Sequence, residues 1–492
     1  MSLRLARPTF ASLLFLALGA SACGSSSSGG GSNPGGGGGS GGSGAAGAPA
    51  QDEATASAAR AACKYQRGAL PKDSLGATTR IGKDMPIDTI VVLMMENHSF
   101  DQYFAHLGKF ASRTDIESAP DSTTNPDASG KPVPWVHSPH LCTLDTNHEW
   151  KGTHQEYADG QMNGFVVANE GWDADKLKAG SDPTLGGGQR SLYWYDEHDI
   201  PFYYQLASTF AIADHYHSSI LGPTWPNRMY LLAATSFGQS SNSFPDIGTY
   251  AYPDKPASIL DELEAAKVTW NLYTDGLPGA GVIYSTAIVK RWDRTVKYGF
   301  SNFLSDAAAG TLPNVSFLDP HIGSEGPAQN DEHPPADIQQ GQKFVSDVVH
   351  ALFNSPQWAH TALFITWDEH GGYYDHVAPP AACAPDGLAP VLDPGDTTAG
   401  GFDRYGVRVP LVVVSPYAKA AHTGHTTYDH TSITRFIETR FELAALSGRD
   451  ANADPLTDMF DFDKPAFSTP PTIAEPTVDQ TELAYCVATY GK

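Results

Sequence analysis

The stretch IVVLMMENHSFDQYF at residues 90–104 joins an apolar run to a cluster of polar side chains. Its first six residues are all apolar, which is the pattern of a strand buried on both faces of a sheet. Glu96 and Asn97 follow this run directly, whereas Asp101 is expected to cap the next helix. Because open α/β sheets bind ligands at the carboxyl ends of their strands, the stretch predicts a site at this edge.

Further apolar runs alternate with amphipathic segments along the rest of the chain. The other strand candidates are NVSFLD, TALFITWD and VPLVVVSP, and helical patterns cover residues 337–355 and 431–443. Regular alternation of strand and helix is typical of a mostly parallel sheet between two layers of helices. The sequence therefore predicts an α/β sandwich.

Length and charge limit the classes of function. The chain has 492 residues, of which 41% are hydrophobic, and this is enough to bury a large core. The formal net charge is −24. Proteins that bind nucleic acids neutralise phosphates with Lys and Arg, so this charge argues against a nucleic-acid partner.

The N-terminus has the pattern of an export signal. Arg4 and Arg7 precede an apolar stretch that ends in small residues before Cys23, which predicts a lipoprotein-type signal peptide at residues 1–22. Cys23 would then carry the lipid that anchors the protein to the bacterial cell envelope, in the outer membrane or periplasm. Ordinary cleavage after Ala22, followed by secretion, is the alternative.

Residues 23–58 are rich in Gly and Ser, so we expect a flexible linker there and a catalytic domain at residues 59–492. No other apolar run is long enough to cross a bilayer, and we expect no transmembrane helix in the mature protein. Four cysteines remain beyond Cys23, and an oxidising compartment favours two disulfides among them with three alternative pairings. These are Cys63, Cys142, Cys383 and Cys486.

A second strand candidate also ends in acidic side chains. The stretch ALFITWDEHGGYYDH places Asp368 and Glu369 directly after its apolar run. Adjacent carboxylates at the end of a buried strand repel each other and lose hydration unless a cation neutralises them. Together with Glu96 and Asn97 they form an oxygen-rich set that suits a hard divalent ion.

A third stretch supplies a candidate nucleophile. In LGPTWPNRMYLLAA, glycine and prolines form a tight turn around Thr224, and a helical pattern follows. The N-terminus of a helix favours an anion, because free N–H groups and the helix dipole point toward it. Coordination to a metal would lower the pKa of the Thr224 hydroxyl enough for nucleophilic attack.

Six motifs together resemble the bacterial phosphoesterase family, which includes hemolytic and non-hemolytic phospholipases C and a branch of acid phosphatases. They occur in the family's order and are MMENHSFDQYF, LGPTWPNRMY, DEHPPADIQQGQKFV, TWDEHGGYYDHVAPP, FDRYGVRVPLVVVSPYA and YDHTSITRFIETRF. The resemblance implies an alkaline-phosphatase-like fold, a three-layer α/β sandwich with metal and nucleophile at the strand ends.

The resemblance also implies roles for individual residues. One divalent ion, which could be Ca, Mg, Mn or Zn, would be bound by Glu96, Asn97, Thr224, Asp368 and Glu369. Thr224 would be the nucleophile, and three histidines would bind phosphate and protonate the leaving oxygen, namely His148, His154 and His333. His376 and the pair Asp429 and His430 are expected to support these residues from behind.

Phospholipase members of the family carry Thr at the nucleophile turn and acid phosphatases carry Ser, so Thr224 favours a phospholipase C-like phosphodiesterase acting on phospholipid head groups. The reaction would pass through a phospho-threonine intermediate. An acid phosphatase is the alternative within the enzymes, and a non-catalytic surface lipoprotein is the alternative of another class. Aromatic residues could form a box for a quaternary ammonium group, or could be core: Trp194, Tyr195, Phe202, Tyr203, Tyr204 and Trp225.

Overall fold

The computed structural model describes residues 51–243, 258–276, 279, 296–323 and 326–491. The predicted signal peptide, Cys23 and most of the linker lie outside the described residues, so export and lipidation stay predictions. The strands are β1 Thr89–Met95, β2 Thr124–Pro126, β3 Pro132–Pro134, β4 Val136–His137, β5 Tyr193–Trp194, β6 Ala211–Ala213, β7 Tyr216–His217, β8 Trp270–Thr274, β9 Val296–Tyr298, β10 Val315–Asp319, β11 Thr361–Trp367, β12 Leu411–Val414, β13 His422–Gly424 and β14 Tyr428–Asp429.

The α-helices are distributed along the whole described chain. They are α1 Glu53–Ala61, α2 Pro71–Ser74, α3 Phe100–Phe104, α4 Leu107–Ala111, α5 Trp150–Tyr157, α6 Phe165–Asn169, α7 Pro201–Thr209, α8 Thr224–Ala233, α9 Ile259–Ala265, α10 Phe300–Ala309, α11 Ile338–Phe353, α12 His430–Phe441, α13 Gly448–Ala451 and α14 Gln480–Tyr490.

Eight strands form the central sheet, in the order β13-β6-β12-β11-β1-β10-β8-β9. β1 lies inside the sheet and pairs in parallel with both β10 and β11, so that Val92 is opposite Phe317 on one side and Phe364 on the other. Every residue of β1 and of β11 is buried. A strand that is buried along its whole length has both sheet faces covered, which confirms the predicted α/β sandwich.

The four predicted strands are present as β1, β10, β11 and β12, and the two predicted helices are α11 and α12. β12 runs antiparallel to both of its neighbours, β11 and β6. Residues 368–410 join β11 to β12 without a described α-helix, and a parallel pair normally needs a helical crossover. The sheet is therefore mostly parallel, with one reversed strand near one edge.

The aromatic cluster around α7 belongs to the core. Tyr195, Phe202, Tyr203 and Tyr204 are all at most 1% exposed, and Tyr203 donates a hydrogen bond to the buried Glu332 over 2.6 Å. Side chains without access to solvent cannot enclose a ligand from outside, so the interpretation of these four as an ammonium-binding box is wrong.

The first helix, α1, crosses the predicted boundary between linker and catalytic domain. Arg60 on this helix pairs with Glu53 at 2.8 Å and with Asp454 at 3.1 Å. These contacts fix residues 53–58 as part of the folded unit that spans Ala50–Lys492. Within the described part of the chain, no helix is long and apolar enough to cross a membrane.

Two disulfides connect distant parts of the folded unit. Cys63 is bonded to Cys383, and Cys142 is bonded to Cys486, with sequence separations of 320 and 344 residues. The two predicted bridges are therefore present, and one of the three pairings is selected. The second bridge fastens α14 close to the loop that contains Asp145 and His148.

We expect the double replacement Cys63→Ala and Cys383→Ala to lower the thermal unfolding midpoint. The bridge closes a loop of 320 residues, and the restriction it places on the unfolded chain is worth on the order of 3–5 kcal/mol. Differential scanning calorimetry without reductant measures the effect. An unchanged midpoint would contradict this expectation, and reductant should lower the wild-type midpoint further, because it opens both bridges.

Candidate active site

The ends of β1 and β11 place four predicted ligands side by side. Met95 lies beside Trp367 in the parallel register, so Glu96 and Asp368 leave the sheet together. The Asn97 amide donates a hydrogen bond to Asp368 Oδ1 over 3.3 Å. These residues and Glu369 are all 4% exposed or less. The structure therefore brings the polar residues after β1 next to the acidic residues after β11, although the two groups are far apart in the sequence.

The two turns that follow these strands pack closely against each other. Asn97 has a φ of 67° and Gly371 a φ of 66°, both in the left-handed region. A Cβ atom on Gly371 would lie 2.3 Å from the carbonyl oxygen of Asn97. Only glycine allows this approach, and the approach brings Asn97 and Glu369 to the same side of the site.

Arg228 on α8 connects the ends of three strands. Its Nε donates to Asp368 Oδ2 over 2.9 Å, and its guanidinium lies 3.2 Å from Asp319 and 3.5 Å from Glu96. The same side chain also donates to the carbonyl oxygens of Met94 and Met95. Arg228 is buried, so these acceptors replace the water that a guanidinium would otherwise bind.

Thr224 is the first residue of α8 and is 5% exposed. Because residues four apart share a face of a helix, Thr224 lies one turn from Arg228, which pairs with Glu96 and Asp368. The preceding turn is held by Asn227, whose Oδ1 accepts from the amides of Ser219 and Ile220 and whose Nδ2 donates to the carbonyl of Gly222. The hydroxyl thus sits at a fixed helix N-terminus.

Two of the three predicted histidines adjoin this site. His148 Nδ1 donates to the carbonyl of Thr146 over 2.8 Å and lies 3.4 Å from Asn97 Nδ2. The ring of His333 is 5.6 Å from that of His148, and both group with Asp145. Since Nδ1 of His148 is engaged with a backbone carbonyl, its Nε2 is the nitrogen available to a ligand.

His154 lies apart from this group. Its Nδ1 donates to the carbonyl of Trp150 over 2.7 Å, and its ring packs on the Trp150 indole at 4.3 Å. It lines a cavity of about 580 Å³ whose wall also includes Leu221, three residues before Thr224. None of its described contacts is with a predicted metal ligand, and its role in phosphate handling stays a prediction.

Buried acidic groups outnumber the cations around the site. Burial, and then the charge of Asp368, raise the pKa of Glu96 to about 8. Burial alone would lower the pKa of His333, but Asp145, Glu96 and Asp331 raise it to about 10. The pKa of Glu96 is therefore raised first by burial and that of His333 by its acidic neighbours, and both shifts are consistent with a buried site rich in carboxylates.

Three oxygen atoms in the site have no hydrogen-bond donor, although one of them, Glu96 Oε1, lies 3.5 Å from the Arg228 guanidinium. Glu96 Oε1, Asn97 Oδ1 and Glu369 Oε1 are buried and accept no hydrogen bond from any described residue. Leaving such atoms buried costs roughly 1–3 kcal/mol each unless something binds them. Carboxylate and amide oxygens are the ligands of hard divalent cations, so this donor set fits such an ion. Asp368 differs, because both of its oxygens already accept hydrogen bonds.

His376, expected to support the site from behind, belongs to a charged cluster behind the metal-ligand turns, and sequence reasoning missed that Arg408, Asp375 and Asp101 are its other members. Arg408 pairs with Asp375 at 2.8 Å and with Asp101 at 3.0 Å, and His376 Nδ1 lies 2.6 Å from Asp101. The cap of α3 is Ser99, whose side chain accepts from the amide of Gln102. The expectation that Asp101 caps this helix is therefore wrong. Asp101 instead ties the turn after β1 to the turn after β11.

An α/β sheet that presents buried oxygen atoms, a hydroxyl at a helix N-terminus and two histidines has the groups that hydrolysis assisted by a divalent cation requires. Residues 87–444 match the sequence model of the Phosphoesterase family. The chain belongs to this family, and it is a hydrolase that acts on phosphoester bonds.

Relatives in plants and bacteria are named as phospholipases C. The chain is 32% identical to non-specific phospholipase C1 of Arabidopsis thaliana, over 76% of this chain and 71% of that protein. It is 30% identical to phospholipase C A of Mycobacterium tuberculosis, over 82% of each chain. It is also 30% identical to non-hemolytic phospholipase C of Burkholderia pseudomallei, over 81% of this chain and 62% of that protein.

Solved structures of more distant proteins overlap parts of the chain. Human ectonucleotide pyrophosphatase/phosphodiesterase 5 is 11% identical, with a TM-score of 0.33, over 53% of this chain and 94% of that chain. The lipoteichoic acid synthase LtaP from Listeria monocytogenes is 8% identical, also with a TM-score of 0.33, over 76% of this chain and 77% of that chain.

We expect Gly371→Ala to weaken the binding of divalent ions by about tenfold or more, because the strained φ and the added Cβ push Asn97 and Glu369 apart. Isothermal titration calorimetry with Mn²⁺ measures the change. Gly387→Ala is the matched control, since a Cβ at Gly387 meets no atom within 4 Å. Equal affinities in the two variants would show that the contact between the turns is unimportant.

The Asp101 cluster should make the fold sensitive to acid. Burial would raise the pKa of Asp101, but Arg408 and then His376 hold it below its usual value. A lowered folded pKa gives stability that is complete above the unfolded pKa of about 3.9 and is lost as pH falls through the folded value. Asp101→Asn should therefore cost about 3–5 kcal/mol near pH 6 and progressively less below about pH 4.

Thermal unfolding midpoints of wild type and Asp101→Asn, measured from pH 6 to pH 3, check this expectation. Asp115→Asn serves as a control, since Asp115 pairs with Arg113 at an exposed position and such pairs contribute at most about 1 kcal/mol. A difference between wild type and Asp101→Asn that stays constant across this pH range would refute the assignment.

Proposed function

We propose that this protein is a phospholipase C-like phosphodiesterase that hydrolyses phospholipids through a phospho-threonine intermediate. The observation that carries the proposal is the set of buried oxygens of Glu96, Asn97 and Glu369 that accept no hydrogen bond, beside the helix that starts at Thr224. The names of the bacterial and plant relatives support the phospholipid substrate.

Glu96, Asn97, Thr224, Asp368 and Glu369 would together hold one divalent ion. When bound, the ion supplies positive charge that offsets the phosphate and lowers the pKa of a coordinated hydroxyl. Arg228 does not bind the phosphate, since its guanidinium already donates hydrogen bonds to Asp368, Asp319 and two backbone carbonyls. It holds the carboxylates at a fixed spacing and does not reach toward substrate.

Thr224 attacks phosphorus from the N-terminus of α8. A bond forms between Thr224 Oγ1 and phosphorus while the bond from phosphorus to the diacylglycerol oxygen breaks in line. The free N–H groups at the start of the helix face the phosphoryl oxygens and stabilise their charge. The Thr224 proton passes to solvent, and the head group remains attached to the enzyme as a phosphodiester.

In this scheme His333 transfers protons and His148 binds the phosphate. His333 lies among Asp145, Glu96 and Asp331, whose charges keep it protonated, so it can donate a proton to the leaving oxygen. His148 turns its Nε2 toward the phosphate, since its Nδ1 is bonded to Thr146. Water then attacks phosphorus while the bond to Thr224 Oγ1 breaks. One proton of the water returns to His333, the other restores the Thr224 hydroxyl, and the phosphorylated head group is released.

The alternative within the enzyme class is an acid phosphatase that acts on phosphomonoesters. Thr224 favours the diester, because phospholipase members of the family carry Thr at this turn. The other alternative is a non-catalytic surface protein. Such a scaffold has no physical need for a nucleophile and buried candidate ligands, and the chain carries Thr224 together with Glu96, Asn97, Asp368 and Glu369, all of them buried.

Hydrolysis of p-nitrophenylphosphorylcholine and of p-nitrophenyl phosphate by the purified protein tests the proposal. We expect the choline diester to be preferred and EDTA to abolish activity. Thr224→Ala should lower kcat by at least about a thousandfold, as losses of nucleophiles do. Thr224→Ser keeps a hydroxyl at the same place and is the matched control, expected to retain much of the activity.

Each outcome assigns the protein differently. Preference for the monoester would move it to the acid phosphatases. Activity that survives in Thr224→Ala would refute the covalent intermediate, and a protein inert on both esters with Mg²⁺, Ca²⁺, Mn²⁺ or Zn²⁺ present would support a non-catalytic role.

A further inference from the structure

Glu156 is a buried carboxylate on α5, a helix that carries none of the predicted metal ligands. It is 0% exposed. His370 Nε2 donates to its Oε2 over 2.8 Å, and Asn169 Nδ2 donates to its Oε1 over 2.8 Å. Both carboxylate oxygens are thus engaged by side chains from other elements. A buried network of hydrogen-bonded polar side chains fixes the geometry of its members, and packing of α5 alone does not require one.

His370 connects Glu156 to the predicted metal ligand Glu369. Because a carboxylate only accepts, His370 donates to Glu156 from Nε2, and this bond fixes the plane of the ring. The other ring nitrogen, Nδ1, then lies 3.4 Å from Glu369 Oε2. The ring of His370 is 1% exposed, so water does not compete for either nitrogen.

Glu369 is held by one oxygen and free at the other. Its Oε2 faces His370 and also accepts the amide hydrogen of Gly371 over 2.7 Å. Its Oε1 accepts no hydrogen bond from any residue that the structure describes. The two contacts on Oε2 therefore determine the direction in which Oε1 points, which is the direction a metal ion would meet.

A second branch leads from Glu156 to the phosphate side of the site. Asn169, which donates to Glu156, accepts the amide hydrogen of Asn147 on its Oδ1 over 2.6 Å. Asn147 precedes His148, whose Nδ1 lies 3.4 Å from Asn97 Nδ2. Glu156 is thus connected through His370 to the predicted metal ligand Glu369. Through Asn169 and Asn147 it is connected to the segment that carries His148.

We propose that Glu156 and His370 form a positioning pair that aims Glu369 Oε1 at the divalent ion. The pair contacts neither substrate nor metal, and acts only through Glu369. Partners of this kind, which orient a metal ligand from behind, typically change metal affinity by about 10–100-fold when removed. The inference rests on the metal site of the proposed function and adds two residues to it.

The test is the affinity for Mn²⁺ of the full-length protein, measured by isothermal titration calorimetry without substrate. Glu156→Gln leaves one acceptor oxygen for two donors, and we expect it to raise the Kd by about tenfold. His370→Asn retains a polar atom near Glu369 but loses the bond to Glu156, and we expect a similar rise. The double variant should be no weaker than either single one, because both changes break the same connection.

Glu438→Gln is the matched control. Glu438 is also 0% exposed and paired, to Arg435 at 2.7 Å on α12, but the structure gives it no contact with the site. We expect this variant to lose thermal stability and to keep the wild-type Kd. Unfolding midpoints of the metal-free proteins separate loss of fold from loss of affinity, and His370→Asn serves if Glu156→Gln fails to fold.

A kinetic readout separates positioning from catalysis. At saturating Mn²⁺ the Glu156→Gln enzyme should recover most of its kcat on p-nitrophenylphosphorylcholine, since the missing effect is on metal affinity. Values of Kd within about twofold of wild type in both single variants, well below the range expected for such partners, would overturn the inference. An equal rise of Kd in Glu438→Gln would also overturn it, because the effect would then be global.

The same measurements distinguish failure of the positioning pair from failure of the proposed function. A wild-type protein that binds no Mn²⁺ would refute the metal site and the inference together. Differences in Kd without hydrolysis of either ester would support the positioning pair and count against the proposed substrate alone.

Discussion

The guanidinium of Arg228 lies among three carboxylates and two backbone carbonyls, and the geometry of the strand ends depends on it. Without a fixed cation there, Glu96, Asp319 and Asp368 would repel one another at the most buried edge of the sheet. Arg228 compensates part of this charge and cross-links β1, β10 and β11. Glu96 Oε1, Asn97 Oδ1 and Glu369 Oε1 still accept no hydrogen bond from any described residue. The fixed positive charge of Arg228 thus holds in place the carboxylates that are proposed to bind a divalent ion.

The buried strands and their polar ends could be predicted from the sequence for a physical reason. A strand covered on both faces needs an unbroken apolar run, so Glu96 and Asp368 are conspicuous where such runs end. The direction of β12 could not be predicted, because it depends on the path of the long connection after β11. β6 has only the residues Ala211–Ala213, too few to carry a pattern.

The parts of the site that the sequence does not reveal are those formed by residues far apart in the chain. Arg228 meets carboxylates 91–140 residues away, and an arginine on a helix is usually solvent-exposed. One local signal was present, since Arg228 stands in a helix that is otherwise mostly apolar. The aromatic residues around α7 show the opposite error, because composition alone suggests a binding surface where the fold places the core.

The disulfide between Cys142 and Cys486 has a consequence for the order of events during biosynthesis. Cys486 lies 344 residues after Cys142, so this bridge cannot close until that whole span has been synthesised. The loop that it fastens leads into Asp145 and His148, on the phosphate side of the site. A nascent chain can therefore pair its early strands while this loop is still unfastened, and the phosphate side of the site reaches its final form only after Cys486 has been synthesised.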